Sequence, residues 1–134
     1  MAETLELEIA TPERELVREQ VDDVQVPGRN GYMGILPGHA ALVGLLGVGV
    51  LTYTRGTEKR YMAVHGGFVE VADDHVRVLA DTAERAEEID IPRAKRALDR
   101  AMEEGNNPAV AVDPASALEA AMRAQARIET AEKR

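Results

Sequence analysis

Arg93, Arg96 and Arg100 recur at spacings that bring side chains onto one face of a helix, and Arg123 and Arg127 repeat the pattern four residues apart. Two such clusters, closed across a helical hairpin, could grip a triphosphate. The forked guanidinium presents several N–H donors in one plane, which suits phosphate oxygens. At about 100° of rotation per residue, however, the first cluster falls roughly opposite the apolar stripe of its own helix. The alternative is therefore a solvated face paired with Asp99, Glu103 and Glu104.

Catalysis is harder to build from this chain. Gly44-Leu45-Leu46-Gly47-Val48-Gly49 supplies glycines, but no lysine follows as a phosphate loop requires, and the spacing is not that of a dinucleotide fingerprint. Strand and turn glycines account for it better. His39, His65 and His75 are scattered without metal-ligand spacing. Asp73-Asp74-His75 could act as acid and base, yet polar residues in a hairpin turn ordinarily solvate it. Ser116 is the only serine and sits at a predicted helix start, so a serine nucleophile is disfavoured. The sequence therefore assigns no catalytic residue and no metal site.

Two elements of different period must position these side chains. Over residues 1–86 the pattern is that of strands. Leu5, Leu7 and Ile9 alternate with Glu6 and Glu8, and Val24 and Val26 repeat this before Pro27-Gly28. Leu51–Thr54 and Tyr61–Val64 flank a polar stretch as a hairpin would. Phe68–Val71 and Val76–Leu79 flank the tight connection Ala72–His75. Many short strands with glycine-rich turns indicate a sandwich or barrel.

Over residues 87–134 the period becomes helical. Asp90 caps a helix with Pro92 in its first turn, and Ala94, Ala97, Leu98, Ala101 and Met102 form one stripe. Gly105-Asn106-Asn107-Pro108 ends that helix. Asp113 and Pro114 open a second, with Ala117, Ala121, Ala124, Ile128 and Ala131 along its seam. The fold class is α+β: a β-sandwich followed by an antiparallel two-helix hairpin. Because a methyl group buries far less area than a large aliphatic side chain, an alanine seam predicts a hairpin that leaves the sandwich at modest cost.

Composition narrows the partners. The chain has 134 residues, 45% of them hydrophobic and 30% charged, as a folded globular protein does. A formal charge of −8 argues against nucleic acid and against acidic membrane surfaces. The helical half is the less acidic, with 10 acidic and 8 basic side chains against 14 and 8 in residues 1–86. No cysteine is present, so neither disulfides nor thiolate sites contribute. The N-terminus does not read as a secretory signal, and the apolar run Ala40–Leu51 is shorter than the roughly 20 residues of a spanning helix. Membrane association is expected only through partners.

The segment Val24-Gln25-Val26-Pro27-Gly28 through Gly34-Ile35-Leu36-Pro37-Gly38-His39-Ala40 resembles the signature of ATP synthase epsilon subunits. So do Gly66-Gly67-Phe68-Val69-Glu70-Val71 and Val78-Leu79-Ala80-Asp81-Thr82-Ala83-Glu84-Arg85-Ala86. Ala41 departs from the proline common after Gly-His-Ala. The resemblance implies a sandwich of about ten strands over residues 1–86, binding the gamma subunit and the c-ring, and a regulatory hairpin over 87–134. It further implies a non-catalytic rotor subunit of a bacterial proton-translocating F-type ATP synthase, peripheral on the cytoplasmic face of the inner membrane. In an extended state the hairpin would reach the alpha/beta catalytic head and obstruct ATP hydrolysis. Tyr32 and His39 match positions that the family places near the c-ring.

Ile89-Asp90-Ile91-Pro92-Arg93-Ala94 is similar to the Ile/Leu-Asp-x-x-Arg-Ala motif of epsilon subunits that bind ATP. Arg100 falls at the family's next arginine, and Arg123 and Arg127 at its two arginines of the second helix. Glu84 matches a position near the adenine. The resemblance thus implies ATP as a regulatory ligand, with no cofactor required. Two other readings are a purely structural coupler without nucleotide sensing, and a free-standing hydrolase using Asp73, Asp74 and His75.

Overall fold

Where one face of a strand is buried, apolar residues must alternate, and Leu5, Leu7 and Ile9 are each fully inaccessible while their neighbours are half-exposed. A computed structural model of the chain describes residues 3–109 and 112–134. Its strands are β1 Leu5–Ala10, β2 Glu15–Val21, β3 Asp23–Gly28, β4 Gly31–Ile35, β5 Leu42–Leu45, β6 Val48–Arg55, β7 Glu58–Ala72 and β8 His75–Arg85. A 3₁₀ turn, Ala86–Glu88, leads into helices α1 Ile91–Asn106 and α2 Pro114–Glu132.

Among the described residues the sandwich has eight strands, where the resemblance implied about ten. Tyr61–Val64 and Phe68–Val71 belong to one strand, β7, which pairs with β6 through its first half and with β5 through its second. Gly66 (φ 64°) and Gly67 (φ 102°) let it turn without breaking. A Cβ at Gly67 would lie 2.0 Å from the Leu79 carbonyl oxygen, so only glycine permits that approach to β8. β8 pairs with β7 along its length and runs parallel to β1 from Glu6↔His75 to Ala10↔Leu79. The resulting order is β2-β1-β8-β7-β6-β3-β4, with β5 attached to β7. β2 has no strict alternation, since Leu16 and Val17 are both buried, and the sequence pattern did not reveal it.

The core is built from the inward residues of these strands, among them Leu5, Ile35, Leu51, Met62, Val64 and Val78. The hairpin joins through a separate and much smaller cluster of Ala63, Ile89 and Ala131, with Ile91 packed against it. By area, burying a methyl group contributes about 0.8 kcal/mol, against roughly 1.5–3 kcal/mol for a large aliphatic chain. The two apolar joints are therefore of very different strength.

The caps form as expected. The Asp90 carboxylate accepts from the Arg93 backbone N–H at 3.1 Å and the Asp113 carboxylate from that of Ala115 at 3.3 Å. α1 runs through Gly105 and ends at Asn106. Its predicted stripe is only partly buried: Ala94 and Ala101 are enclosed, but Ala97 is exposed and Met102 is 53% accessible. α2 is buried on more sides than one stripe requires, through Ala117, Ala124, Ala126, Ile128, Thr130 and Ala131. The reason is position, because α2 lies between α1 and the strands β6 and β7, whereas α1 packs chiefly on α2.

Candidate functional site

The end of β8, the 3₁₀ turn and the two helices enclose a cleft of about 310 Å³ lined by Glu84, Glu88, Ile89, Asp90, Arg93, Ala94, Ala97 and Arg127. Each side chain arrives there for a local reason. β8 carries Glu84 as its next-to-last residue, and the 3₁₀ turn then bends the chain so that Asp90 can cap α1. The cap fixes the first turn of α1, which bears Arg93 and Ala94. Arg127 comes from the facing side of α2, three residues after the fully enclosed Ala124.

Arg127 Nε donates to Glu84 Oε1 at 2.5 Å, with both side chains about 30% accessible. This pair ties α2 to the sandwich across 43 positions of sequence. Arg134 adds a second tie, its Nη1 donating to the carbonyls of Ala86 at 2.9 Å and Ile89 at 3.2 Å. Lys133 Nζ lies 5.5 Å from the centre of the Tyr61 ring.

Glu88 completes the wall. Partial burial works against its charge, but hydrogen bonds from Arg14 Nη2 (2.8 Å) and from the Arg85 backbone N–H (3.1 Å) outweigh that and hold its carboxyl below the ordinary range. Beneath α2, His65 is 5% exposed, and its Nδ1 lies 2.6 Å from Thr82 Oγ1. Burial, with the nearby charges of Arg127 and Arg123, lowers its pKa from 6.5 to about 4 despite the opposing influence of Glu84. The imidazole is neutral at neutral pH.

The fold therefore gathers six of the eight residues of the Ile-Asp-x-x-Arg-Ala resemblance, Glu84, Ile89, Asp90, Arg93, Ala94 and Arg127, in one cleft. Arg100 and Arg123 are not among its lining residues. Arg100 is 80% accessible and pairs with Glu104 at 3.0 Å, and Arg123 lies 4.0 Å from Glu119. Glu88 and His65 were not singled out by their spacing. Glu88 is held locally by Arg85, three residues before it, and also by Arg14, 74 positions away, a partner that no local pattern marks.

Tyr32 is the second residue of β4, and His39 lies beyond the other end of that strand. Tyr32 is half-exposed, and its hydroxyl accepts from the Val50 backbone N–H at 3.1 Å. Gly49 makes this possible, since a Cβ there would come within 2.6 Å of the Tyr32 oxygen. His39 Nδ1 sits 2.7 Å from the Ala40 carbonyl oxygen. Asp73 and Asp74 form the β7–β8 turn with φ of 50° and 59°, and the Asp74 carboxylate accepts from the Gly38 N–H at 2.6 Å, tethering the turn that bears His39. Val43, Leu45 and Phe68 of β5 and β7 form an exposed apolar patch, 71%, 56% and 41% accessible, and Leu45 shares one cavity lining with Tyr32.

Residues 4–86 match the family described as ATP synthase, Delta/Epsilon chain, beta-sandwich domain. The ATP synthase epsilon chain of Solibacter usitatus is 68% identical over 134 residues, the whole of both chains. That of Desulforamulus reducens is 46% identical over 98% of this chain and all of its own. A chain in the OSCP/F1/c-ring structure of the Euglena gracilis mitochondrial ATP synthase superposes with a TM-score of 0.85 at 27% identity, covering 98% of this chain and 83% of that one. A chain in the central stalk/c-ring structure of the Tetrahymena thermophila enzyme, 16% identical with a TM-score of 0.57, shares the fold. On the match across its sandwich and the end-to-end identity to epsilon chains, this chain belongs to the ATP synthase delta/epsilon family, as an epsilon-type subunit of the bacterial F-type enzyme.

Proposed function

We propose that this chain joins the gamma subunit to the c-ring in the rotor of a proton-translocating ATP synthase, and that its hairpin restrains ATP hydrolysis when released from the sandwich, ATP holding it docked. Epsilon chains are non-catalytic stalk subunits, and the residues described above are read accordingly as binding and positioning groups. The patch of Val43, Leu45 and Phe68 is a contiguous apolar surface on β5 and β7, of the kind that marks a protein contact, and gamma is the partner assigned to it. Tyr32 and the tethered turn at His39 are assigned to the c-ring. The membrane link is assigned to these partners, on the cytoplasmic face; no described helix is long and apolar enough to cross a membrane.

The observation that carries the regulatory reading is that the cleft is lined from both sides of the joint. Glu84 belongs to the end of the sandwich, Glu88 to the connecting 3₁₀ turn, and Arg93 and Arg127 to the helices of the hairpin. A ligand held there favours the docked hairpin. Arg93 and Arg127 supply guanidiniums for phosphate, while Ile89 and Ala94 supply an apolar wall for a base. ATP that binds only this form stabilises it by RT ln(1 + [L]/Kd), or about 2.7 kcal/mol at a hundredfold excess over Kd. ATP is the regulatory ligand, and the alpha/beta head is the surface the hairpin meets once released.

Calorimetry with ATP on the whole chain tests the sensor, with binding expected in the wild type and lost in Arg93→Ala and Arg127→Ala. Deleting residues 88–134 should raise hydrolysis by the assembled enzyme, and unchanged hydrolysis would remove the inhibitory role. The structural-coupler reading draws on Arg127 and Arg134 already closing the joint without a ligand. Absence of ATP binding by the wild type would leave that reading standing.

A further inference from the structure

We infer that Glu84 is a built-in competitor for Arg127, so that the cleft admits a polyphosphate only as the Glu84–Arg127 ion pair opens. The inference rests on the nucleotide reading of the cleft and concerns what sets its affinity.

The lining offers two guanidiniums, Arg93 and Arg127, against three carboxylates, Glu84, Glu88 and Asp90. The carboxylates are not equivalent. Glu88 is compensated from behind by Arg14 at 2.8 Å and Arg85 at 3.4 Å. Asp90 is spent on the backbone N–H of Arg93. Glu84 alone takes its compensation from a guanidinium that the ligand would need. Among the described residues no carboxylate pairs with Arg93, so one cation of the cleft is open and the other is occupied.

A phosphate chain entering this lining meets Glu84 as a like charge at short range and as the holder of Arg127. Both effects oppose binding, and in a partly desolvated cleft neither is screened as it would be in water. Removing the Glu84 charge also costs the hairpin one tie to the sandwich, which would weaken any ligand specific for the docked form. That loss is limited, because Arg134 still binds the carbonyls of Ala86 and Ile89, and Ala131 still packs on Ala63 and Ile89. The repulsion acts on every charge of the phosphate chain, so it outweighs one lost tie among several. Glu84 thus sets the threshold concentration at which ligand holds the hairpin down.

The experiment is a titration of the whole chain with inorganic tripolyphosphate, which lacks a base, in parallel with ATP. Glu84→Gln should bind tripolyphosphate about tenfold more tightly than wild type. Glu84→Asp, which keeps the charge but draws it back from Arg127, should fall between the two. In the wild type the Arg127 Nε–H resonance should move on addition of tripolyphosphate, as its carboxylate partner is exchanged for phosphate. Equal or weaker binding by Glu84→Gln, or an unmoved Arg127 resonance while ATP still binds, overturns the competitor role and leaves the nucleotide reading intact. Failure of every variant and of the wild type to bind either ligand overturns both. Should Glu84→Gln not fold, the Glu84→Asp titration and the resonance decide.

Discussion

His65 Nδ1 lies 2.6 Å from Thr82 Oγ1, which links the buried imidazole of β7 to an exposed residue of β8 close to the joint between sandwich and hairpin. Its Nε2 is enclosed and has no hydrogen-bond partner among the described residues, and the charges nearest it on α2 are Arg127 and Arg123, with Glu84 on β8. A proton gained here would add a third positive charge under α2.

The first prediction follows from that arrangement. The folded pKa is about 4 against an ordinary 6.5, so between those values the unfolded chain binds more protons than the folded one. Stability is complete above pH 6.5 and declines as pH falls toward 4. Urea denaturation across that range should show the decline, and His65→Gln should flatten it. A stability independent of pH from 6.5 to 4 in the wild type would contradict the assignment.

Gly67 and Gly56 should respond differently to alanine. Both have positive φ, but a Cβ at Gly67 would strike the Leu79 carbonyl oxygen at 2.0 Å, while Gly56 has open space around it. Gly67→Ala should cost more than about 3 kcal/mol or prevent folding, and Gly56→Ala about 1 kcal/mol. Equilibrium denaturation of the two variants measures this directly.

Hydrogen exchange should divide the chain at the end of β8. The sandwich core is closed by large aliphatic residues, whereas the hairpin rests on Ala63, Ile89, Ala131 and two charged ties. Amides of α1 and α2 should therefore exchange faster than those of β6, β7 and β8, by subglobal opening. Ile128→Ala, in a position 7% exposed, should accelerate exchange in both helices and leave the sandwich strands unchanged.

An aspartate in the exposed apolar patch should separate binding from folding. Val43 is 71% accessible, so Val43→Asp should change stability by less than about 0.5 kcal/mol. Binding to purified gamma subunit should weaken at least about tenfold, since a desolvated charge at an apolar contact has no partner. Surface plasmon resonance of wild type and variant against gamma supplies the comparison.

Much of this molecule was legible from local pattern. The alternation in β1, the hairpin of β6 and β7, the caps at Asp90 and Asp113 and the stop after Gly105 are short-range signals, and each element stands where its residues put it. The count of about ten strands came from the resemblance, while Tyr61–Val64 and Phe68–Val71, read as separate pieces, form one continuous strand bent at Gly66-Gly67. Glycine permits a positive φ but does not state whether pairing resumes beyond it. The exposure of Met102 failed for a related reason, because helical periodicity gives a face without saying what covers it.

The chain order thus determined by itself a strand-built half, a helical half and the identity of the arginines on each helix, because backbone preference and side-chain periodicity act over a few residues. Only the tertiary structure decided which arginines share a cleft. It set Arg127 against Glu84 and left Arg100 on an exposed face with Glu104. Those partnerships depend on how α2 seats between α1 and the sheet, a packing outcome that sums contacts from distant parts of the chain and that no local spacing encodes.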